Sequence, residues 1–345
     1  MIRNRALPVL PLEGYVLLYF LFYLPNIVVT KLVTSLPNAA LGRPLTGLET
    51  LPASLILNTL MTYAFIWWAG WHRDAHAIKV AGLRIPVPTR YTLLSGIGTA
   101  LIVFTVPLSF TFKGVSIPFI QLLMRGDILI IAPLVDLMFG RRVRWWSWTA
   151  LAMVAVALFI TLSARGGLHL PFLAILTVLF YTLGYFFRLA MMTRVAKDGD
   201  PATVRRFFVE EKIFALPASV AMLAALSASG LGGQADELGF GFIGVWTNPV
   251  IVWLVLIAVT LTIVSVFSVV ILLDPRENAY CVPLERASSL IAGVGAAFLL
   301  AWFWGLRAPT GAEVAGALIL IAAIALLSIA PRWRRVAVAA RAETE

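Results

Sequence analysis

The sequence has little of what a soluble enzyme or a disulfide-built scaffold needs. Among its 345 residues there is one cysteine, Cys281, which excludes an intrachain disulfide and a thiolate metal cluster. There are three histidines. Two of them, His72 and His76, flank Asp74 in WHRDAH at a spacing that grips a metal on a helix. No third ligand group follows, and the stretch reads as a solvated loop. No GxxxxGK[ST] loop is present, so the chain does not itself run an ATP-driven pump. A GxSxG elbow, an HExxH pair, a paired DxxxD and a haem motif are missing too. Charge is scarcest of all. Asp, Glu, Lys and Arg make up 13% of the chain, against about 25% in soluble proteins.

What is present is apolar. Hydrophobic residues are 61% of the chain and the mean hydropathy is +0.93, which places the protein in the membrane class. The net charge of +10 does not point to nucleic acid. Its basic residues sit in short loops between apolar runs, without interleaved aromatics on one module. The start, MIRNRALPVLPLEGYVLLYFLFYLPNIVVT, has a basic front like a signal peptide. Its apolar run exceeds the roughly 7–15 residues of an h-region and reads as an uncleaved first membrane helix.

A spanning helix needs about 20 mostly apolar residues. On that basis the sequence predicts an all-α integral membrane protein of ten helices, near 12–34, 48–71, 91–112, 114–138, 145–164, 168–193, 206–228, 249–273, 279–304 and 311–330. The longest connections are 72–90 and 229–248, and the second, Gly-rich and acidic, reads as a surface loop.

Alternate loops then differ in charge. One side receives Arg3, Arg5, Arg73, Lys79, Arg84, Arg90, Arg141, Arg142, Arg144, Arg194, Lys197, Arg205, Arg206, Arg276, Arg332, Arg334, Arg335 and Arg341. The other receives Arg43, Lys113, Arg165 and Arg307. Eighteen against four puts both termini in the cytoplasm of a multi-pass protein of the cell membrane. Five basic residues, Lys31, Arg125, Arg188, Lys212 and Arg286, fall inside helices.

A shift of 165 residues partly superimposes the halves. Pro118 falls on Pro283, Ala132 on Ala297, Leu134 on Leu299, Gly140 on Gly305 and Arg142 on Arg307. Ungapped agreement of Pro, Gly and Arg carries more weight than the shared alanines and leucines. The repeats are 1–164 and 165–345, the second ending in a short basic cytoplasmic tail. With five helices each, an odd number, the second enters the membrane upside down. Inverted repeats are common in secondary transporters, with the substrate site near the midplane where the repeats meet.

The segment VSIPFIQLLMRGDILIIAPLVDLMFGRRVRWWSWTALAMVAVALFITLSA resembles the fourth and fifth helices of EamA-type members of the drug/metabolite transporter superfamily. AYCVPLERASSLIAGVGAAFLLAWFWGLRAPTGAEVAGALILIAAIALLS resembles their ninth and tenth. Both show a small-residue helix, a short turn of Gly plus charge, then a Gly/Ala-rich closing helix. In place of the acidic residue usual in that turn, this chain has Gly140-Arg141-Arg142 and Gly305-Leu306-Arg307. The resemblance implies a ten-helix carrier of small metabolites, its cavity lined by helices 3, 4, 8 and 9, with export favoured over import.

Charges inside the membrane are the site candidates. Each costs about 2.5–3.5 kcal/mol on insertion scales, so each needs a partner or a wet cavity. Arg125 lies mid-helix in PFIQLLMRGDILIIAP. Asp127, two residues on, faces roughly the opposite way. Gln121 shares the face of Arg125. A guanidinium suits a carboxylate or phosphate because its donors form a fixed fork. Arg125 is therefore a substrate anchor, or else half of an ion pair between helices. Glu285 and Arg286 are also substrate-binding candidates; in the repeat alignment Arg286 stands opposite Gln121. Glu210 and Glu211, next to Lys212, are candidates for ion coupling along with Asp127; the alternative is a solvated vestibule. Pro25 frees a backbone carbonyl, and Asn26 beside it then faces the cavity. Tyr185, with Tyr181 and Trp302, offers a ring to stack a planar ligand. Ser288, Ser289, Gly293 and Gly295 read as helix packing.

The function expected is thus a secondary, non-enzymatic transporter of a small polar or amphipathic metabolite, anionic or zwitterionic. Its partners are that small molecule and the lipid bilayer, with no nucleic acid, no cofactor and no metal, in a monomer or homodimer. The alternative is a carrier of lipid or lipid-linked substrates with a laterally open groove. A membrane enzyme would need clustered carboxylates or histidines at one interface, and only 210–212 approaches that.

Overall fold

The computed structural model describes residues 10–80, 83–109, 145–163, 172–198, 200–230, 232–276 and 278–342, with a few helical residues between 123 and 138. The described chain is helical apart from one two-stranded hairpin. Its helices are α1 Leu12–Ser35, α2 Gly47–Ala69, α3 Arg90–Ser109, α4 Trp145–Ser163, α5 Phe172–Val195, α6 Pro201–Ala228, α7 Gly232–Ile243, α8 Ile251–Leu272, α9 Asn278–Trp304 and α10 Gly311–Ala342. Six of them, α1, α2, α5, α6, α8 and α9, are long and apolar enough to cross a membrane among the described residues. Large apolar side chains such as Leu17, Phe159, Val252 and Phe303 remain exposed on the outer surface, a coat that water does not tolerate and lipid does. The protein is therefore an all-α membrane protein.

Packing follows from small residues at crossings. α3 lies against α5 and α6, α1 against α8 and α9, α2 against α6, α7 and α8, and α4 against α10. At the α3–α5 crossing the backbones nearly touch. A Cβ on Gly98 would sit 2.5 Å from the Gly184 carbonyl oxygen, and one on Gly184 would sit 2.7 Å from that of Gly98. Only glycine at both places permits this approach. Ser288 Oγ donates to the Val16 carbonyl at 3.2 Å, and Gly295 faces Leu24, so two of the expected packing residues on α9 do join it to α1.

Helix ends are set by local chemistry. Thr46 and Glu49 form a reciprocal capping box at the start of α2. Asp200 caps α6, accepting from the N–H groups of Ala202 at 3.2 Å and Thr203 at 3.0 Å, with Pro201 in the first turn. This pair starts α6 upstream of the expected residue 206.

Both long connections are more structured than expected. Within 229–248, α7 forms despite its glycines, because Ala235 and Leu238 share a buried face and Gly241 lets the Glu49 carbonyl approach. Burial on α2 and α6 outweighs the weak intrinsic propensity. Within 72–90, β1 Ala77–Val80 pairs antiparallel with β2 Leu83–Pro86. The helix α10 also continues beyond the expected 330 to Ala342, where a basic tail was anticipated.

Candidate functional site

The α3–α5 crossing brings a hydroxyl stripe and an arginine to one carboxylate. Thr92, Ser95 and Thr99 fall on one face of α3 by helical spacing. Glu211 on α6 accepts from Ser95 Oγ at 2.7 Å, Thr99 Oγ1 at 2.8 Å and Arg188 Nε of α5 at 3.0 Å, all on Oε1. The Lys212 ammonium lies 3.7 Å from Oε2, and Oε2 itself has no hydrogen bond. Glu211, Arg188 and Lys212 are all buried. Low dielectric strengthens such pairing and makes each missing partner costly.

A second group stands one helix over. On α9, Glu285 Oε1 accepts from Ser268 Oγ of α8 at 2.7 Å. Its Oε2 is 3.3 Å from Arg286 Nε but makes no hydrogen bond there, and Arg286 Nε and Nη2 are also without one. Side chains of adjacent helical residues diverge by about 100°, so the two groups approach without aligning. The Arg286 guanidinium stacks over the Tyr185 ring, 4.2 Å from its centroid. Tyr181 leans on Tyr185 at 4.8 Å. Both Glu285 and Arg286 are at least 95% buried, at 1% and 4% exposure.

Beside Arg188 and Tyr185 is a cavity of about 10 Å³, lined also by Ile131, Leu189, Met192, Leu272 and Val282, the room of roughly one water. Counting residues at 1.5 Å each, Arg188, Glu211 and Glu285 lie roughly 10–15 Å from the nearer ends of α5, α6 and α9. The charges are well inside the apolar part of the bundle.

Glu210 serves another element. Its Oε1 accepts from the His76 backbone N–H at 3.0 Å and meets His76 Nδ1 at 2.6 Å; Oε2 accepts from Thr92 Oγ1 at 2.9 Å. Asp74 bonds Arg205 at 2.5 Å, and its carbonyl accepts from Arg206 at 3.1 Å. WHRDAH is therefore docked onto α6 rather than solvated, because the buried Glu210 needs donors and two arginines hold Asp74. The alternative reading of 210–212 as a solvated vestibule does not hold, because all three side chains are buried.

Of the sequence candidates, Tyr185 lines the cavity together with Arg188; Arg286 stacks on Tyr185 beside Glu285, and Glu211 pairs with Arg188 and Lys212. Glu210 faces the hairpin. Asn26 is engaged elsewhere: its amide donates to the Ile257 carbonyl at 3.0 Å and to Thr260 Oγ1 at 2.9 Å, tying α1 to α8. Trp302 points outward at 86% exposure, away from any ligand cavity. Gln121, Arg125 and Asp127 lie outside the described residues. Ser95, Thr99 and Ser268 were missed, although a 92–95–99 hydroxyl stripe in an apolar helix is a readable signal. Among the described residues no cluster of three metal-ligating side chains occurs.

No protein-family model matches the chain, and no curated protein does. A solved structure, described only as the crystal structure of a protein, is similar in fold. It superposes with a TM-score of 0.57 at 14% identity, covering 93% of this chain and 97% of that one.

Proposed function

We propose that the protein is a secondary transporter that moves a small anionic or zwitterionic metabolite across the cytoplasmic membrane by alternating access, with export favoured. The observation that carries this reading is Arg286, a buried arginine with two N–H donors that make no hydrogen bond, stacked on Tyr185, which lines a cavity between helices. Intramembrane charge is costly and marks substrate paths by default. An arginine kept there for stability alone would have its donors filled. The nearly closed cavity fits an occluded stage of the cycle.

The contact pattern supports the two inverted repeats. Exchange α1 with α5, α2 with α6, α3 with α8 and α4 with α10. The α1–α8 contact then becomes α5–α3, α2–α8 becomes α6–α3, and α2–α6 and α4–α10 map onto themselves. A repeat of five spans paired with its copy gives this symmetry, and it agrees with the EamA resemblance. Exposed Trp67, Trp68, Trp145 and Trp148 would form the cytoplasmic interfacial belt, and Trp253, Trp302 and Trp304 the outer one, with both termini in the cytoplasm.

The test is a thermal-unfolding screen of detergent-purified protein against a metabolite library, run on wild type and Arg286→Lys. A ligand at 100 times its Kd stabilises by about 2.7 kcal/mol. Anions that stabilise wild type and not the variant support the reading. A library in which no anion stabilises wild type sinks it.

A further inference from the structure

The hairpin of β1 and β2 has two unlike faces. Strand side chains alternate between faces, and in this register Ile78 stands opposite Ile85 and Lys79 opposite Arg84. One face therefore shows two isoleucines, 51% and 45% exposed. The other shows two exposed cations. Like charges directly opposite each other destabilise an antiparallel pair. Relief does not come from within the hairpin, because residues 77–86, AIKVAGLRIP, contain no acid. The carboxylates that meet the same connection are already engaged, Asp74 by Arg205 and Glu210 by His76 and Thr92.

Position says what meets the two faces. The Val87 N–H donates to the His76 carbonyl at 2.8 Å and closes the base of the hairpin. That base lies between the end of α2 at Ala69 and the start of α3 at Arg90. With 23 residues, α2 is about 34 Å long, a little more than the hydrocarbon thickness of about 30 Å. Its end, and the hairpin's base with it, is at the edge of the apolar layer. Trp67 and Trp68 in the last turn of α2 are 68% and 58% exposed, and indole rings settle at the level of the headgroups. The hairpin continues this lipid-facing surface. A short element with an apolar face and a cationic face lies in the membrane interface. Hydrocarbon meets the apolar face, and the long stems of Lys and Arg carry their charges to the phosphates.

We infer that the hairpin rests in the headgroup layer on its side of the membrane and binds anionic phospholipid, with Ile78 and Ile85 against acyl chains and Lys79 and Arg84 sharing a phosphate. The lipid relieves the like-charge pair that the strand register creates. This binding does not depend on which metabolite the protein carries.

The experiment uses the full chain in detergent micelles, with Ile85→Cys labelled by bimane; the native thiol, Cys281, is buried. Phosphatidylglycerol and phosphatidylcholine, both with brominated acyl chains, are titrated in separately. Both are expected to quench the bimane, and phosphatidylglycerol at a mole fraction at least about fivefold lower, the worth of one cation beside an anionic headgroup. Lys79→Gln with Arg84→Gln is expected to bring the two titrations together. Quenching by iodide and by neither lipid places the hairpin in water and overturns the inference. Quenching by none of the three means that protein, such as a second copy of the chain, covers the isoleucines, and overturns it too. Equal response of wild type to the two lipids, or a preference that survives the double substitution, removes the cations from the binding and overturns it as well. If the doubly substituted chain does not fold, the comparison of the two lipids on Ile85→Cys alone decides.

Discussion

Glu211 is the residue on which most of the buried polar structure converges. Three donors from two helices meet one of its oxygens. Removing one partner leaves the others facing a charge they were arranged to share. Arg188→Met is therefore expected to destabilise by about 3–5 kcal/mol, the cost of orphaning half of a buried pair. Arg188→Met combined with Glu211→Gln should cost clearly less than the sum of the two single changes, since both act on one interaction. Unfolding of the three variants in the same detergent measures this; additive losses would mean that the pair does not couple. The sequence showed these charges as misplaced in an apolar context. It did not show the partners, because Ser95 and Thr99 are ordinary helix residues until Gly98 and Gly184 bring α5 close.

At the scale of the helix, two features argue for themselves. A methyl group at the α3–α5 crossing meets a backbone carbonyl, which cannot rotate away as a side chain does. Gly184→Ala should cost about 1–3 kcal/mol by overpacking and should loosen Arg188 from Glu211. Ala at Gly233, where nothing lies within 4 Å, serves as the control and should leave the midpoint near wild type. The second feature is the Asp200 cap. The N–H of Ala202 and the hydroxyl and N–H of Thr203 hold its carboxyl below its ordinary value of 3.8. A lowered value means that the cap stabilises above pH 4 or so and is lost as pH falls through the lowered value. Protection of the Ala202 and Thr203 amides relative to their intrinsic exchange rates should therefore fall in acid, and Asp200→Ala should show the low protection already at neutral pH. Unchanged protection would mean that the cap does not hold the first turn. Asp200-Pro201 was legible as a helix start, yet hydropathy placed the boundary later, since the first turn of α6 is polar. The glycines of α7 misled in the opposite direction, because the surface that α7 covers lies on helices distant in sequence.

For the whole molecule, the even spread of apolar residues made the membrane class legible, while the tertiary arrangement needed contacts. Orientation is testable because the only native thiol, Cys281, is buried and gives little background. With both termini in the cytoplasm, Arg43→Cys should react with a membrane-impermeant maleimide on intact cells, and Lys79→Cys only after permeabilisation. The reverse pattern would invert the topology. Arg43→Cys also strips Glu49 of the guanidinium that binds it at 2.8 and 2.5 Å, so the probe is paired with Glu49→Gln to remove the orphaned charge.

Glu210 and Glu211 are consecutive residues on one rigid helix, about 100° apart in direction. One holds the segment before the hairpin through His76 and the other holds the α3–α5 crossing. A rotation of α6 about its own axis therefore moves both attachments together, as a camshaft moves two valves. Whatever pulls on the hairpin from the aqueous side turns the innermost charges of the bundle by the same angle.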